Sequence, residues 1–497
     1  MSLHPLAELS PVVDELDARQ LRAALQVAGW VPGAVAEHLG DDIAAALTRA
    51  EPAPVLAAFD TRDLCSAPFG VLTRLFGLHL PVRTDLVADA LPLDAAIRFG
   101  VIETVGEYCR APLQVQPFDR PGWWVVSDWA APVERGPLPD AHVLGYSGAS
   151  QTLATITPRL AGGIAADIGT GSGVQALLLS DHVDRVVATD IDDRALALAL
   201  RTFTLCDVDV ELRKGSLFEP LGQQKFDVIV SNPPFVIGRH GSVFRDAGFD
   251  DDNLGRLLVG DVARHLTDSG VAVFLLNWLH KSDVDWRDHV AEWIGAEPVT
   301  AWFAQRQVLD PAAYASAWLT DLGLDPRSHA GDQRRWIDAL AAAETRAVGM
   351  GWVAIRPAAE TLVVAEDVSA APRLPNGEEV LDALDLAAFS TIDAFATLAC
   401  TPRVAPGTRL FRANTLGGVI GATPPLLGVI DSWRGDVVVD DLVAHIAEHA
   451  DGATSVADLI DAAASDFDLD PDDVLGAVLA PVRGLLQTGV FLVNVSL

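Results

Sequence analysis

Lysine is nearly missing from this 497-residue chain. Only Lys214, Lys225 and Lys281 occur, and 35 basic residues face 68 acids. The formal net charge of -33 and a pI near 4.5 repel a phosphate backbone unless a local basic patch reverses the field. Arginines that would build such a patch are scattered, as Arg239, Arg245 and Arg256 in one stretch and Arg334 with Arg335 in another. Acid excess also serves solubility, so the charge lowers the expectation of a nucleic-acid substrate without excluding one. Cysteine is scarce too. Cys65, Cys109, Cys206 and Cys400 lie far apart, with no Cys-x-x-Cys pair and no His cluster nearby, which argues against a disulfide framework and against a metal site. No apolar stretch reaches the roughly 18 uncharged residues of a membrane span. The start, MSLHPLAELSPVVDELDARQ, lacks a basic segment followed by an apolar run, so a cytoplasmic protein is expected.

What is present is a folded, multidomain composition, half hydrophobic and 21% charged. From Leu21 to about Phe59 apolar residues recur at helical spacing, with breaks at Pro52 and Pro54. FGVLTRLFGLHLP, TDLVADAL and LDAAIRFGVIE then give three helical segments. YCRAPLQVQPFD and GWWVVSDW follow as two strand-like runs joined by a Pro-Gly turn. Three helices and a two-stranded wing are similar to a winged helix, here acidic and suited to protein contact. Residues 1–141 thus read as an N-terminal substrate-recognition domain.

From His142 the pattern becomes alternating strands and helices, which predicts a Rossmann-like α/β domain with a mostly parallel, seven-stranded sheet over residues 142–365. The strand candidates are 164–168, 185–190, 208–215, 226–232, 271–278, 298–306 and 350–358, with a helical insertion at about 311–346. Residues 366–425 read as a linker or stay unassigned. Residues 426–497 carry DDLVAHIAEHA, SVADLIDAAASDF and PDDVLGAVLAPVRGLLQTG and end in FLVNVSL, again similar to a winged helix. Asp470 with Pro471 marks a helix start there, and Gly489 a stop.

Two motifs carry chemistry. Asp167-Ile168-Gly169-Thr170-Gly171-Ser172-Gly173 falls between an apolar strand and a helical run, where glycines permit a tight turn and close backbone approach to a ligand. Seventeen residues after Gly173, Asp190 ends the next strand, where a carboxylate accepts both hydroxyls of a ribose. The pair suits a nucleoside, NAD included. The second motif, Asn232-Pro233-Pro234-Phe235, is a common turn former in isolation. Its place at the carboxyl end of a central parallel strand, where such sheets put their active sites, changes its meaning.

The Asp-x-Gly-x-Gly-x-Gly form resembles motif I of S-adenosylmethionine-dependent methyltransferases. With Asn-Pro-Pro-Phe it resembles the enzymes that methylate planar nitrogens, among them the N6-adenine, guanine-N2 and release-factor glutamine methyltransferases. The resemblance covers roughly residues 146–310. It implies S-adenosyl-L-methionine as cofactor, with Asp167 in the polar network near the methionine end, Gly169, Gly171 and Gly173 in the cofactor turn, Asp190 at the ribose, and Ser216 and Leu217 at the adenine. Relatives often have an acid where Ser216 stands. Ser147 to Thr152 would line the methionine end. Arg245-Asp246-Ala247-Gly248 resembles an Arg-Asp-Gly-Gly stretch, which makes Arg245 a candidate anchor for a substrate loop. Trp278 and His280 face either the pocket or the core.

A conjugated amide or aryl-amine nitrogen is a poor nucleophile because its lone pair is delocalised. Acceptors on its two N–H bonds, the side-chain oxygen of Asn232 and the main-chain oxygen of Pro233, favour rehybridisation and stabilise the positive charge that develops. Phe235 would stack on the planar group. A macromolecular substrate is expected, a protein glutamine ahead of an RNA base, with a small molecule behind both and a catalytically inert scaffold last. No metal and no membrane are implied.

Overall fold

The computed structural model describes residues 9–49, 51–62, 64–130, 138–139, 141–234, 252–412 and 424–493. Its N-terminal part is mostly helical, beginning with Glu15–Val27, and includes a small antiparallel sheet of β1 (Val82–Arg83), β2 (Glu103–Val105) and β3 (Tyr108–Arg110) in the order β1-β3-β2. Strands β4 (Gln114–Pro117) and β5 (Trp124–Ser127) form the hairpin that the sequence marks as a wing. That hairpin lies instead against helix Asp193–Cys206, where Val126 N donates to Thr202 Oγ1 at 3.0 Å. Trp124 and Val126 are both fully buried, so the hairpin could not stand free as a solvated wing.

The central sheet holds β6 (Ile164–Ile168), β7 (Arg185–Asp190), β8 (Glu211–Lys214), β9 (Phe226–Ser231), β10 (Leu266–Lys281), β11 (Val299–Leu309), β12 (Thr345–Pro357) and β13 (Leu362–Asp367). Their order is β13-β11-β12-β10-β9-β6-β7-β8. Only β12 runs against the rest. The sheet therefore has eight strands rather than the expected seven. The extra strand, β13, pairs parallel to β11 from Thr300↔Leu362 to Gln305↔Asp367, at the point where the sequence suggests that the domain ends.

Strands β9 and β10 read as continuous apolar runs because helices cover both faces of the sheet. Val228, Val230, Val273 and Leu275 belong to one core cluster, and Ile229, Phe274 and Leu276 to the cluster on the other face. Helix Asp193–Cys206 is capped by Asp192, which accepts from Arg194 N, and it separates two cores. Ala199 and Phe203 face the sheet cluster, while Leu198 and Leu205 face the N-terminal one.

In the stretch 366–425, expected as linker or unassigned, the described residues from 366 to about 386 are docked. Arg306 Nη1 donates to the carbonyls of Val368 at 3.0 Å and Ala371 at 2.7 Å, and helix Gly377–Leu386 opens with a capping box of Asn376 and Glu379. Beyond it come β14 (Arg403–Val404), β15 (Thr408–Phe411), β16 (Leu426–Val429), β17 (Val437–Val438) and helices Asp441–His449, Val456–Phe467 and Pro471–Gln487. Strand β18 (Phe491–Leu492) returns to pair with β14. Asp470 caps the last helix by accepting from Asp472 N at 2.9 Å. Among the described residues no helix is long and apolar enough to cross a membrane.

Candidate functional site

Register gathers the two motifs at one edge. Ile168 pairs with Thr189 on one side and with Ser231 on the other, so the next residues, Gly169, Asp190 and Asn232, leave the sheet side by side. Ser231 Oγ fixes the level by donating to Ile168 O at 2.7 Å. One strand further out, Gly215 N donates to Asp190 O at 3.0 Å and sets Ser216 beyond Asp190.

The glycine turn divides its tasks. Gly173, at φ 88°, lies so close to helix Asp193–Cys206 that a Cβ would come within 2.7 Å of the Phe203 ring. Gly169, at φ 71°, would direct a Cβ toward no described atom within 4 Å, as expected of backbone that faces a ligand. Asp167 lies beneath the turn, fully buried, and its Oδ2 accepts from Thr170 Oγ1 at 2.6 Å and Ala176 N at 3.1 Å. Burial pushes its carboxyl up to about 7, against the pull of those two donors.

Asp190 is tied into the same backbone. Its Oδ2 accepts from Gly171 N at 2.9 Å and its Oδ1 from Asp192 N at 3.0 Å. Each oxygen keeps a further lone pair for a hydroxyl. Burial raises its carboxyl as well. Leu217 holds a left-handed backbone at φ 48°, a conformation costing about 1–2 kcal/mol for a residue with a Cβ. Ser216 and Leu217 line a cavity of about 630 Å³ together with Phe218, Arg256, Leu257 and His265, whose ring stacks on Phe218 with centroids 4.9 Å apart.

The side-chain Oδ1 of Asn232 is buried and has no hydrogen-bond partner among the described residues. A buried acceptor left unmade costs about 1–3 kcal/mol, which the fold tolerates where a ligand supplies the donor. Pro233 is buried beside it. Phe235, Arg239 and the stretch Arg245 to Gly248 lie outside the described residues. Ser147 caps helix Gly148–Ile156 by accepting from Ser150 N at 3.3 Å, and Gln175 Nε2 donates to Ser150 O at 2.8 Å, which brings that helix to the one that follows the glycine turn.

Trp278 belongs to the core. It is fully buried, stacks on Trp286 at 5.6 Å and donates to Gln305 Oε1 at 3.1 Å, an oxygen that also lies 2.6 Å from His280 Nε2. A buried polar pair that the sequence does not single out, Asn277 and Tyr314, lies beyond the end of β9. Strand β10 pairs with β9 only up to Phe274 and then runs on to Lys281, so it overhangs the edge that carries Asn232. Its overhang pairs with the start of β12, and helices Pro311–Asp321 and Ala330–Ala342 cap it around Leu279 and Val348. Asn277 Nδ2 donates to Tyr314 Oη at 3.1 Å there, both side chains buried.

Residues 147–277 match a family model described as the methyltransferase small domain, and residues 27–112 match a domain of unknown function (DUF7059). A release factor glutamine methyltransferase of Geobacter sulfurreducens is 47% identical over 72 residues, 14% of this chain and 25% of the relative. A ribosomal protein uL3 glutamine methyltransferase of Bradyrhizobium diazoefficiens is 34% identical over 119 residues, 21% of this chain and 37% of the relative. The chain thus spans well under half of either relative. Among solved structures, a T. thermophilus 16S rRNA N2 methyltransferase in complex with AdoMet and guanosine aligns at a TM-score of 0.26 with 18% identity, over 47% of this chain and 65% of that one.

Proposed function

We propose that this chain, whose residues 147–277 match the methyltransferase small domain model, transfers a methyl group from S-adenosylmethionine to the side-chain amide nitrogen of a protein glutamine. The observation that carries the reading is the buried Oδ1 of Asn232, without a partner among the described residues and set by strand register beside a glycine turn whose Gly169 has no described atom near its Cβ direction. The open turn, the Asp190 carboxylate across from it and the cavity at Ser216 and Leu217 fit the methionine, ribose and adenine parts of the cofactor in that order. When bound, the cofactor supplies an electrophilic methyl group on a sulfonium, which leaves as a neutral thioether.

The chain's own residues then position and stabilise. Asn232 Oδ1 and the Pro233 carbonyl accept the two N–H bonds of the acceptor nitrogen, so its lone pair turns toward the methyl carbon. As the N–C bond forms and the C–S bond breaks, the same oxygens face the growing positive charge on nitrogen, and one proton is afterwards lost to solvent. No general base is required before transfer. Phe235, outside the described residues, takes in this reading the role of stacking on the planar group.

These acceptors serve a glutamine amide and an exocyclic nucleobase amine alike, and charge separates the two. At a net charge of -33 with three lysines the surface favours a protein partner in the cytoplasm, docked on the N-terminal part and on the C-terminal part, the latter read as a winged-helix-like recognition module. The test is radiolabelled methyl transfer into release-factor, ribosome and tRNA fractions from cells lacking the gene. Protease-sensitive label is expected. Label that only nuclease removes would make the acceptor a guanine N2 or adenine N6, and no label in any macromolecule would point to a small molecule.

A further inference from the structure

Residues 141–146, just ahead of helix Gly148–Ile156, lie beside the glycine turn and fall in neither matched family. Val143 Cγ1 lies 3.7 Å from where a Cβ on Gly171 would sit, and Leu144 O accepts from Ser172 Oγ at 2.8 Å. Gly145 packs so closely that a Cβ there would meet Ser127 Oγ at 2.5 Å. This strap packs on the turn at Gly171 and Ser172.

One carboxylate holds the strap. Asp128, 4% exposed, accepts from Val143 N through Oδ2 at 2.9 Å, and its own N–H donates to Val143 O at 3.1 Å. The same carboxylate takes a forked pair from Arg194, Nε to Oδ2 at 3.1 Å and Nη2 to Oδ1. Arg194 stands in the first turn of helix Asp193–Cys206, and the residue capping that helix, Asp192, donates its N–H to Asp190. Asp128 therefore joins the strap beside the glycine turn to the helix start whose cap residue donates to the ribose-side carboxylate of Asp190. A pair so far removed from water leaves an uncompensated charge when either partner is lost.

We propose that Asp128 is a positioning residue for the cofactor, fixing the distance between the two walls of its cleft through Arg194 and Val143. The N-terminal part of the chain thereby sets cofactor affinity as well as any docking it performs. The inference rests on the cofactor site proposed above.

Calorimetry with S-adenosylmethionine and S-adenosylhomocysteine on the full chain tests it, with Asp17→Asn as the control. Asp17, also buried, forms a bidentate pair with the more exposed Arg98 and, among the described residues, makes no hydrogen bond or ion pair to the glycine turn or the strap. Asp128→Asn is expected to raise the Kd of both ligands at least tenfold, with kcat at saturating cofactor within about threefold of the parent and the acceptor KM unchanged. Asp17→Asn is expected to lower the melting temperature with Kd within twofold. Should Asp128→Asn fail to fold, Ser172→Ala, which removes only the bond to Leu144, is expected to move Kd about threefold in the same direction. A Kd within twofold of the parent in every folded variant of this set overturns the proposal. A parent chain that binds neither ligand overturns the cofactor reading instead.

Discussion

Strands β6, β7 and β8 stop at a common edge and hand their task to backbone, whereas β10, β11 and β12 run past that edge and carry side chains over it. On the first side the key elements are a glycine turn, a main-chain N–H on Asp190 and a carboxylate beneath, all within 24 residues of sequence from Asp167 to Asp190. On the second side Asn277 meets Tyr314 across 37 residues, and only because an inserted pair of helices folds back over the overhang. A site half made of local backbone binds a ligand with fixed geometry. A half made from an insertion can be changed without disturbing the other, which is how one fold acquires different acceptors.

If the cofactor half works as a buried electrostatic unit, its largest signature is a pH dependence of stability. Asp167 titrates near 7 in the folded chain and near 3.8 in the unfolded one. The folded state thus holds a proton that the unfolded state releases between those values. The contribution is fully present below about pH 4 and is lost as pH rises through 7, a change of roughly 4 kcal/mol as an upper figure. Denaturant titrations at pH 5 to 8 should show this slope, and Asp167→Asn should flatten it. An identical slope in both would remove Asp167 from the account.

The acceptor side's largest effect is kinetic. Asn232→Ala should lower kcat by about 10² to 10³ and leave cofactor Kd within twofold, because the lost acceptor matters most as charge develops. Full activity in that variant would disprove the proposed chemistry. Within the turn, Gly173→Ala should cost about 2–4 kcal/mol of stability through strain at positive φ and contact with Phe203. Gly169→Ala, with no described atom within 4 Å of the added Cβ, should cost about 1 kcal/mol of stability and act mainly on cofactor affinity. Equal stability losses in the two would mean that Gly169 does not face a ligand. Asp190→Ala should weaken cofactor binding by about 1–3 kcal/mol, and calorimetry showing unchanged affinity would dismiss the ribose contact.

The same contrast explains what the sequence discloses. Asp167, the three glycines, Asp190 and Asn232 were legible because each is placed by strand register and by turn chemistry that a local pattern encodes. The eighth strand was not. ETLVVAED is short and runs into Ser, Ala and Pro residues, and what makes it a strand is pairing with β11, 62 residues earlier. The β4–β5 hairpin was seen as a hairpin but misplaced, since nothing local says that Trp124 will pack against Cys206, 82 residues on. Asn277 and Tyr314 carried no signal at all. An Asn at the end of an apolar strand and a Tyr within an Ala-rich helix acquire meaning only when the insertion folds.

The acceptor half is therefore best sharpened by its smallest change. Tyr314→Phe removes one hydroxyl from a buried pair while keeping the ring that packs against Trp318 and Trp336 with centroids 5.9 and 6.2 Å away. A single buried hydrogen bond contributes about 1 kcal/mol net, so the fold should survive with a modest drop in melting temperature. If the overhang shapes the acceptor site, the acceptor KM should rise about two- to fivefold as Asn277 loses that anchor, with cofactor Kd unchanged. The measurement is paired: initial rates against acceptor, and calorimetry against S-adenosylhomocysteine. A shift in cofactor Kd with acceptor KM constant would reverse the assignment of the two halves, because the insertion would then be serving the ligand that the glycine turn is meant to hold.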